Sequence, residues 1–318
     1  MQFNKYQLHY REGVILELTD SDGISQFIEF SPLPGFSQET LCDVKKQLIT
    51  LLSESIDNLN AHKNHAPCIQ FALDYLSIDE RPTHFIHQQQ NTFITIDNIP
   101  LLQGNCEQVI GHYNSLKLPN VIKLKVARGL VSDDIDIFQS LCNLNPNIKI
   151  RCDANQAWDE QQAAFFLRHI DIKHLDYIEE PTTNHKLNLQ LAKQFNILIG
   201  LDETLQQRDF TYQHSPFIRA FIIKPTIIGS KQKIDQLVSF ATKQNIIVSF
   251  SSSFESIVGL QQLKKLATHY TNNETKGRRP RITLGIDTLK YFNSSRLIDA
   301  EKIAQDCQTL EVLWISNR

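Results

Sequence analysis

The sequence predicts an α/β protein, a closed barrel of alternating strands and helices preceded by an N-terminal α+β region of about ninety residues. Two observations carry this prediction. From about residue 92 onward, short β-rich runs recur at intervals of roughly 20–30 residues, and several of the stretches between them have helical periodicity. Before that point strand-like alternation comes first and helical stretches follow.

In the N-terminal region, residues 3–8, 14–18 and 26–30 alternate as strands do. A proline-rich turn follows, Ser31-Pro32-Leu33-Pro34-Gly35-Phe36-Ser37-Gln38-Glu39, and then helical stretches over residues 40–59 and Pro67–Leu76. The expected barrel strands are residues 93–97, 121–126, 148–155, 176–181, 197–203, 220–225, 246–253 and 282–287. Helical periodicity covers residues 160–170, 186–195 and 232–244, and the polar insertion 271–281 reads as an exposed loop. The expected division is a capping region over residues 1–91 and a barrel over residues 92–294, with residues 295–318 returning to pack on the cap. An open doubly wound sheet is the rival. Against it, no G-x-G-x-x-G follows any strand, and the chain has only 11 glycines.

Composition bounds the function. With 318 residues the chain can bury a large core without disulfides or structural metals. The net charge of -3 gives no attraction to a polyanion such as nucleic acid. No apolar run approaches the ~18–20 residues that span a bilayer, and the N-terminus alternates polar and apolar residues without a signal-peptide core. The six cysteines, Cys42, Cys68, Cys106, Cys142, Cys152 and Cys307, are irregularly spaced with no C-x-x-C. They therefore read as reduced thiols of a cytoplasmic protein. His62/His65 and His84/His87 are pairs without H-E-x-x-H context and read as solvated or structural.

The chemistry is written at the strand ends. The second expected strand ends Lys123-Leu124-Lys125, and the third carries Arg151-Cys152-Asp153-Ala154-Asn155. The fourth ends Glu179-Glu180-Pro181, the fifth Asp202-Glu203, and the sixth Lys224-Pro225. The seventh ends Ser251-Ser252-Ser253 and the eighth Gly285-Ile286-Asp287. In a (β/α) barrel these ends form the floor of the active site. Side chains two apart on a strand share a face, which groups Lys123 with Lys125, and Arg151 with Asp153 and Asn155. Any one such charge could simply cap its strand and face solvent. A run of Lys, Asp, Glu, Asp, Lys on successive strands is costly to bury unless the charges meet a metal, a substrate or each other. Asp153, Glu179 and Asp202 supply three carboxylates on adjacent strands, a set suited to Mg²⁺ with positions left for substrate oxygens and water. Lys125 and Lys224 then flank the metal. Neighbouring Lys123 and a divalent cation both disfavour the ammonium form of Lys125, which suits it to act as a base.

These elements, K-x-K, D-A-N, E-E-P, D-E and I-K-P in this order, resemble the enolase superfamily in its muconate-lactonizing branch. Ser31–Thr40, Asp153–Trp158, Ile223–Thr226 with Gly229-Ser230, Ser251–Ser256 and Gly285–Thr288 are similar to the o-succinylbenzoate synthase family of the proteobacterial kind. The resemblance runs over nearly the whole chain. It implies a modified (β/α)7β TIM-like barrel under an α+β cap. It also implies a magnesium-dependent carbon–oxygen lyase, a hydro-lyase, in which Mn²⁺ can substitute. The implied reaction is syn dehydration of 2-succinyl-6-hydroxy-2,4-cyclohexadiene-1-carboxylate to 2-succinylbenzoate through an enediolate, in menaquinone biosynthesis.

The roles it implies are Asp153, Glu179 and Asp202 as metal ligands and Lys125 as general base and then acid. Lys224 is implied as the cation on the opposite face, with Lys123 and Asn155 in support. Ser251, Ser252 and Gly285 would line the succinyl end, with Arg151 nearby. The loop around residues 20–23 would close over the substrate. The implied partner is a small carboxylate substrate, with neither membrane nor nucleic acid, and the implied state is a monomer. In the family a glycine is commoner where Ala127-Arg128 follow the K-L-K-V run.

Two alternatives stand beside this. An N-acylamino-acid racemase or dipeptide epimerase of the same superfamily would use the same lysine pair. Dipeptide epimerases, however, usually carry Asp-x-Asp at the eighth strand end, where this chain has Gly285-Ile286-Asp287. A non-catalytic barrel kept as an interaction protein would be expected to lose a ligand or a lysine, and none is lost.

Overall fold

A computed structural model describes residues 2–3, 6–7, 11–19, 21–23, 25–54, 65–76, 96–207, 210–273 and 277–292. The expected packing of residues 295–318 and the boundary between residues 91 and 92 lie outside these, as do His62, His84, His87 and Cys307. The other five cysteines are free thiols. Among the described residues no helix is long and apolar enough to cross a membrane.

The first expected strand, residues 3–8, is instead two short antiparallel strands, β1 (Gln2–Phe3) and β2 (Tyr6–Gln7). Strands β3 (Val14–Thr19) and β4 (Ser25–Phe30) pair antiparallel, with Val14 opposite Phe30 and Thr19 opposite Ser25. Helices α1 (Leu41–Glu54) and α2 (Pro67–Leu76) follow. Ile28 and Phe30 of β4 pack with Val44, Leu48 and Leu51 of α1 and with Ile69, Ala72 and Leu73 of α2. Each large apolar side chain buried fully contributes about 1.5–3 kcal/mol, so this cluster holds the region together without a disulfide.

Among the described residues, eight parallel strands form the third and largest sheet, in sequence order. They are β5 (Leu101–Leu102), β6 (Val121–Lys125), β7 (Lys149–Asp153), β8 (Leu175–Glu179), β9 (Ile199–Leu201), β10 (Ile218–Ile223), β11 (Ile247–Ser251) and β12 (Arg281–Gly285). Helices α3 (Cys106–Ser115), α4 (Val131–Leu144), α5 (Glu160–His169), α6 (His185–Phe195), α9 (Lys231–Lys243) and α10 (Ile257–Asn272) lie between successive strands, and the short α7 (Glu203–Gln206) and α8 (Pro225–Ile228) follow β9 and β10. Local chemistry starts the helices: Asn105 with Gln108 and Asp159 with Gln162 form reciprocal capping boxes, and Asn184, Ser230 and Ser256 cap α6, α9 and α10.

The first barrel strand departs from expectation. The described strand is Leu101–Leu102, later than the expected 93–97, of which 93–95 lie outside the described residues. The segment before it nevertheless closes the ring, because Asn98 bridges Leu284 of β12 in parallel and Asp97 O accepts from Leu284 N at 2.9 Å. The expected loop 271–281 is shorter at both ends: α10 extends to Asn272, and Arg281 opens β12.

Alternation sorts the barrel residues. Ile122, Leu124, Ile150, Cys152, Ile178, Phe221, Ile223, Val248 and Phe250 pack outward with the helices in one core. Tyr177, Ala220, Ile222 and Ile247 form a separate apolar plug inside the ring. Ala127, just past β6, has φ 61°, a left-handed conformation that strains any residue with a Cβ. A glycine, which the resemblance leads one to expect there, would adopt this conformation without strain. Asp134 of α4 supports the turn by accepting from Ala127 N at 2.9 Å, and burial pushes its carboxyl up to about 6.

Candidate active site

Register brings the charged strand ends to one height. Lys125 pairs with Asp153, Asp153 with Glu179, and Glu179 with Gly200, two residues before Asp202. The three carboxylates are almost sealed, with Asp153 and Glu179 at 2% exposure and Asp202 at 1%. Gly200 makes room for them: a Cβ there would lie 3.1 Å from Glu179 Cγ and 2.9 Å from Ile222 Cδ1. Lys125, on β6, and Lys224, just past β10, flank the three carboxylate strands.

The ammonium groups close on the acids. Lys123 Nζ lies 2.7 Å from Asp153 Oδ2 and 2.6 Å from Glu179 Oε2. Lys125 Nζ lies 2.6 Å from Asp153 Oδ2 and also donates to Asn155 Oδ1. Lys224 Nζ lies 2.5 Å from Asp202 Oδ2. Asn155 Nδ2 in turn donates to Glu203 Oε1 at 3.2 Å.

The lysines differ electrostatically. Burial pulls Lys125 below its ordinary value, and repulsion from Lys123 adds to this while Asp153 opposes it. Burial alone would lower Lys224 too, but Asp202 and Glu203 outweigh it and hold Lys224 above its ordinary value. Asp153, Glu179 and Asp202 likewise overcome the burial of Lys123 and hold it charged. Burial pushes Glu179 up to about 8 against the pull of Lys123, with Asp153 and Asp202 adding repulsion. Lys123 and Lys125 outweigh burial at Asp153 and keep it well below the usual carboxylate range.

Glu180 belongs to the framework of the site. It is fully buried, and its carboxylate accepts from the backbone N–H groups of Asp202 and Thr204, both at 3.1 Å, and from Gln156 Nε2. It thereby fixes the turn that carries Asp202. Counted together, Asp153, Glu179, Glu180, Asp202 and Glu203 set five carboxyl groups against the three lysines. Burial and repulsion among the carboxylates raise Glu179, which a cation among them would relieve, and an all-oxygen donor set suits a hard divalent ion such as Mg²⁺ or Mn²⁺. Among the described residues no three such groups already converge as a cage, since Lys123 stands between Asp153 and Glu179. The donor chemistry fits the ion.

A cleft of about 750 Å³, counted with its open mouth, lies over these groups. Lys123, Lys125, Arg151, Asp153, Asn155, Glu179, Lys224, Ser251, Ser252 and Gly285 line it, and Asp202 sits behind Lys224. Alternation does not place Asn155. β7 ends at Asp153, and Asn155 reaches Lys125 from a left-handed turn at φ 45°. Arg151 lies one layer lower, its Nε donating to Asp176 Oδ2 at 3.0 Å and its guanidinium over the Tyr177 ring.

Sequence reasoning missed several lining residues. Leu33 and Phe36 reach the cleft from the proline-rich turn of the cap, and Tyr177, Ser249 and Phe254 from the barrel. Tyr177 and Ser249 follow from alternation with Glu179 and Ser251. Leu33, Phe36 and Phe254 carry no such periodic signal. The turn at residues 21–23, expected to close over the substrate, is exposed and does not line the cleft.

Comparison with known proteins adds to this picture. A sequence model described as enolase C-terminal domain-like matches residues 116–267, and one described as the MenC N-terminal domain matches residues 1–79. The o-succinylbenzoate synthase of Pasteurella multocida is 30% identical over 312 residues, covering 93% of this chain and 90% of its own length. That of Haemophilus influenzae is 31% identical over 291 residues, covering 89% and 83%. Among solved structures, the o-succinylbenzoate synthase of Thermosynechococcus elongatus, with magnesium in its active site, superposes with a TM-score of 0.68 at 20% identity, covering 94% of this chain and 92% of that one. Muconate lactonizing enzyme of Pseudomonas putida gives 0.65 at 18% identity, covering 87% and 82%. These structures share the fold, while the two bacterial relatives carry the likeness through cap and barrel alike: the chain belongs to the o-succinylbenzoate synthase family of the enolase superfamily.

Proposed function

We propose that this chain is an o-succinylbenzoate synthase, a hydro-lyase that converts 2-succinyl-6-hydroxy-2,4-cyclohexadiene-1-carboxylate to 2-succinylbenzoate on the way to menaquinone. The observation that carries the reading is the flanking of three buried, in-register carboxylates by Lys125 and Lys224, in a cleft that the cap helps to wall.

Asp153, Glu179 and Asp202 would hold Mg²⁺, with Mn²⁺ able to take its place. When bound, the ion supplies a Lewis acid for the substrate carboxylate. Lys125, less disposed than Lys224 to keep its proton, takes the α-proton and returns it to the departing hydroxyl on the same face. Lys224 remains an ammonium and stabilises the enediolate charge from the opposite side. Lys123 and Asn155 orient Asp153 and Lys125. Ser251 and Gly285 face the succinyl end, with Ser252 in the wall beside them and Arg151 beneath.

The racemase and epimerase alternative is disfavoured at the eighth strand end. Asp287 Oδ2 accepts from Leu101 N at 3.0 Å and pairs with Lys290, so its charge is already answered and offers no seat for a substrate amine. The proposal includes a cytoplasmic monomer without a nucleic-acid partner, in keeping with the net charge of -3. It also includes the division into residues 1–91 and 92–294, with residues 295–318 returning to the cap.

The test is dehydration of the cyclohexadiene substrate with Mg²⁺ and after chelation, set beside α-deuterium exchange into N-acylamino acids and dipeptides. The expected result is metal-dependent dehydration. Deuterium exchange without dehydration would move the assignment to the racemase class, and absence of both would sink the enzyme reading.

A further inference from the structure

Two buried carboxylates outside the metal site lie on either side of the junction between cap and barrel. Glu255 is 2% exposed and follows the serine run at the end of β11. Its Oε2 accepts from Ser252 Oγ at 2.7 Å and from Ser253 N at 2.6 Å, and its Oε1 accepts from Thr226 Oγ1 at 2.7 Å. Thr226 lies two residues past Lys224, so one carboxylate ties the turn after β10 to the loop after β11.

Ser252 is thereby committed. Its hydroxyl proton goes to Glu255, while its oxygen accepts from Phe254 N at 2.8 Å and lies 3.1 Å from Thr288 Oγ1. A side chain that spends its donor on a buried carboxylate serves the pocket as a pin. What it pins is Phe254, which lines the cleft at φ 62°, a conformation a bulky residue holds only where its surroundings impose it.

Glu29, on cap strand β4, continues the linkage. Its carboxylate accepts from Ser256 N at 3.1 Å, from Ser256 Oγ at 2.5 Å and from Gly259 N at 2.9 Å, at the N-terminus of α10. Gly259 is what lets it in, since a Cβ there would lie 2.9 Å from Glu29 Oε2 and 2.5 Å from Glu255 Cβ. Arg11 donates to Ser31 O and Pro32 O, immediately before Leu33 of the cleft, and its charge faces both Glu29 and Glu255. The cap wall, Leu33 and Phe36, and the barrel wall, Ser252 and Phe254, are thus referred to one buried cluster.

We propose that Glu255 is a positioning residue for substrate binding, seating the Ser252–Phe254 wall, and that Glu29 links that seat to the cap. The proposal rests on the functional reading above only for its choice of substrate. Its test is a kinetic cycle on the intact, Mg²⁺-loaded chain together with hydrogen exchange on the substrate-free protein. Glu255→Gln is expected to raise KM about tenfold with kcat changed less than about threefold, because the wall moves while the lysines and carboxylates stay in place. Ser252→Ala raises KM by a similar factor, and the double variant raises it by less than the product of the two, since both lose the Ser252–Glu255 contact. Glu29→Gln raises KM about threefold. Amide exchange at Ser253 and Phe254 quickens in Glu255→Gln and keeps its wild-type rate in β6–β8.

A wild-type chain that fails to dehydrate the substrate overturns the functional reading, and exchange alone then decides this inference. Unchanged KM with unchanged exchange in Glu255→Gln overturns it. So does a double variant whose KM rise is the product of the single ones. Should Glu255→Gln not fold, Thr226→Val and Ser252→Ala carry the same expectation, and wild-type KM in both is the overturning result.

Discussion

The two halves of the barrel mouth are built differently. From β6 to β10 the cleft is made of side chains at strand ends, held by parallel register and by one another: Lys125 on Asp153, Lys123 on Asp153 and Glu179, Lys224 on Asp202. From β11 to β12 a loop and the cap join small strand-end residues, Ser249, Ser251 and Gly285, with Ser252 and Phe254 held through Glu255 and with Leu33 and Phe36 lining the same cleft. The first half holds its charges in a largely buried, mutually hydrogen-bonded frame, which suits proton transfer. The second half is jointed through the cap, and it meets the first at the turn after β10, where Thr226 donates to Glu255. Different elements therefore carry the charged groups and the wall beside them, and the measurements below ask how far the two act apart.

Four measurements test that contrast. Lys125→Ala is expected to lower kcat by at least about a thousandfold, the loss of a positioned base. Mn²⁺ binding followed by calorimetry should persist, because Asp153, Glu179 and Asp202 are untouched. Turnover near the wild-type rate would show that the base lies elsewhere. Phe36→Ala, on the other half, should raise KM about tenfold, equivalent to ~1.4 kcal/mol, with a small change in kcat. A collapse of kcat with KM unchanged would erase the distinction between the halves.

The third measurement concerns Asp134, behind β6, whose carboxyl is raised by burial to about 6. An acid raised on folding favours the native state most where it is protonated, below the unfolded value near 3.8. That contribution is lost as pH rises through about 6. Asp134→Asn should therefore unfold at a higher temperature than the wild type at pH 8, with the gap shrinking toward pH 4. A gap that widens toward low pH would reverse the sign. Least of all, Ala127→Gly should relieve a left-handed alanine and stabilise the chain by about 0.5 kcal/mol, roughly 1–2 °C in Tm. A fall in Tm would mean that the φ of 61° carries no strain.

The legible part of the site follows the same division. The strand-end charges could be assigned because a period of two residues puts Lys123 with Lys125, and Arg151 with Asp153, on the inner face, and pairing aligned them. Asn155 was found for a partly mistaken reason, since it reaches Lys125 through a left-handed turn beyond the strand. The first barrel strand, expected at residues 93–97, lies partly outside the described residues; the chain meets Leu284 at Asp97 and Asn98, and pairs with β6 at Leu101–Leu102. Leu33, Phe36 and Glu255 left no periodic trace. Each is defined by a neighbour distant in the chain or by the geometry of an irregular loop.

What the sequence by itself determined is the alternation of strands and helices and the order of Lys, Asp, Glu, Asp and Lys along them. Both follow from periodicity, which is local and survives without tertiary context. The tertiary structure alone decided the pairing of the carboxylates with particular lysines and the divergence of Lys125 from Lys224. It alone decided, too, that Ser252 spends its proton on Glu255. Those outcomes depend on burial and on distances between residues far apart in the chain, quantities that come into being only when the ring closes and the cap settles over it.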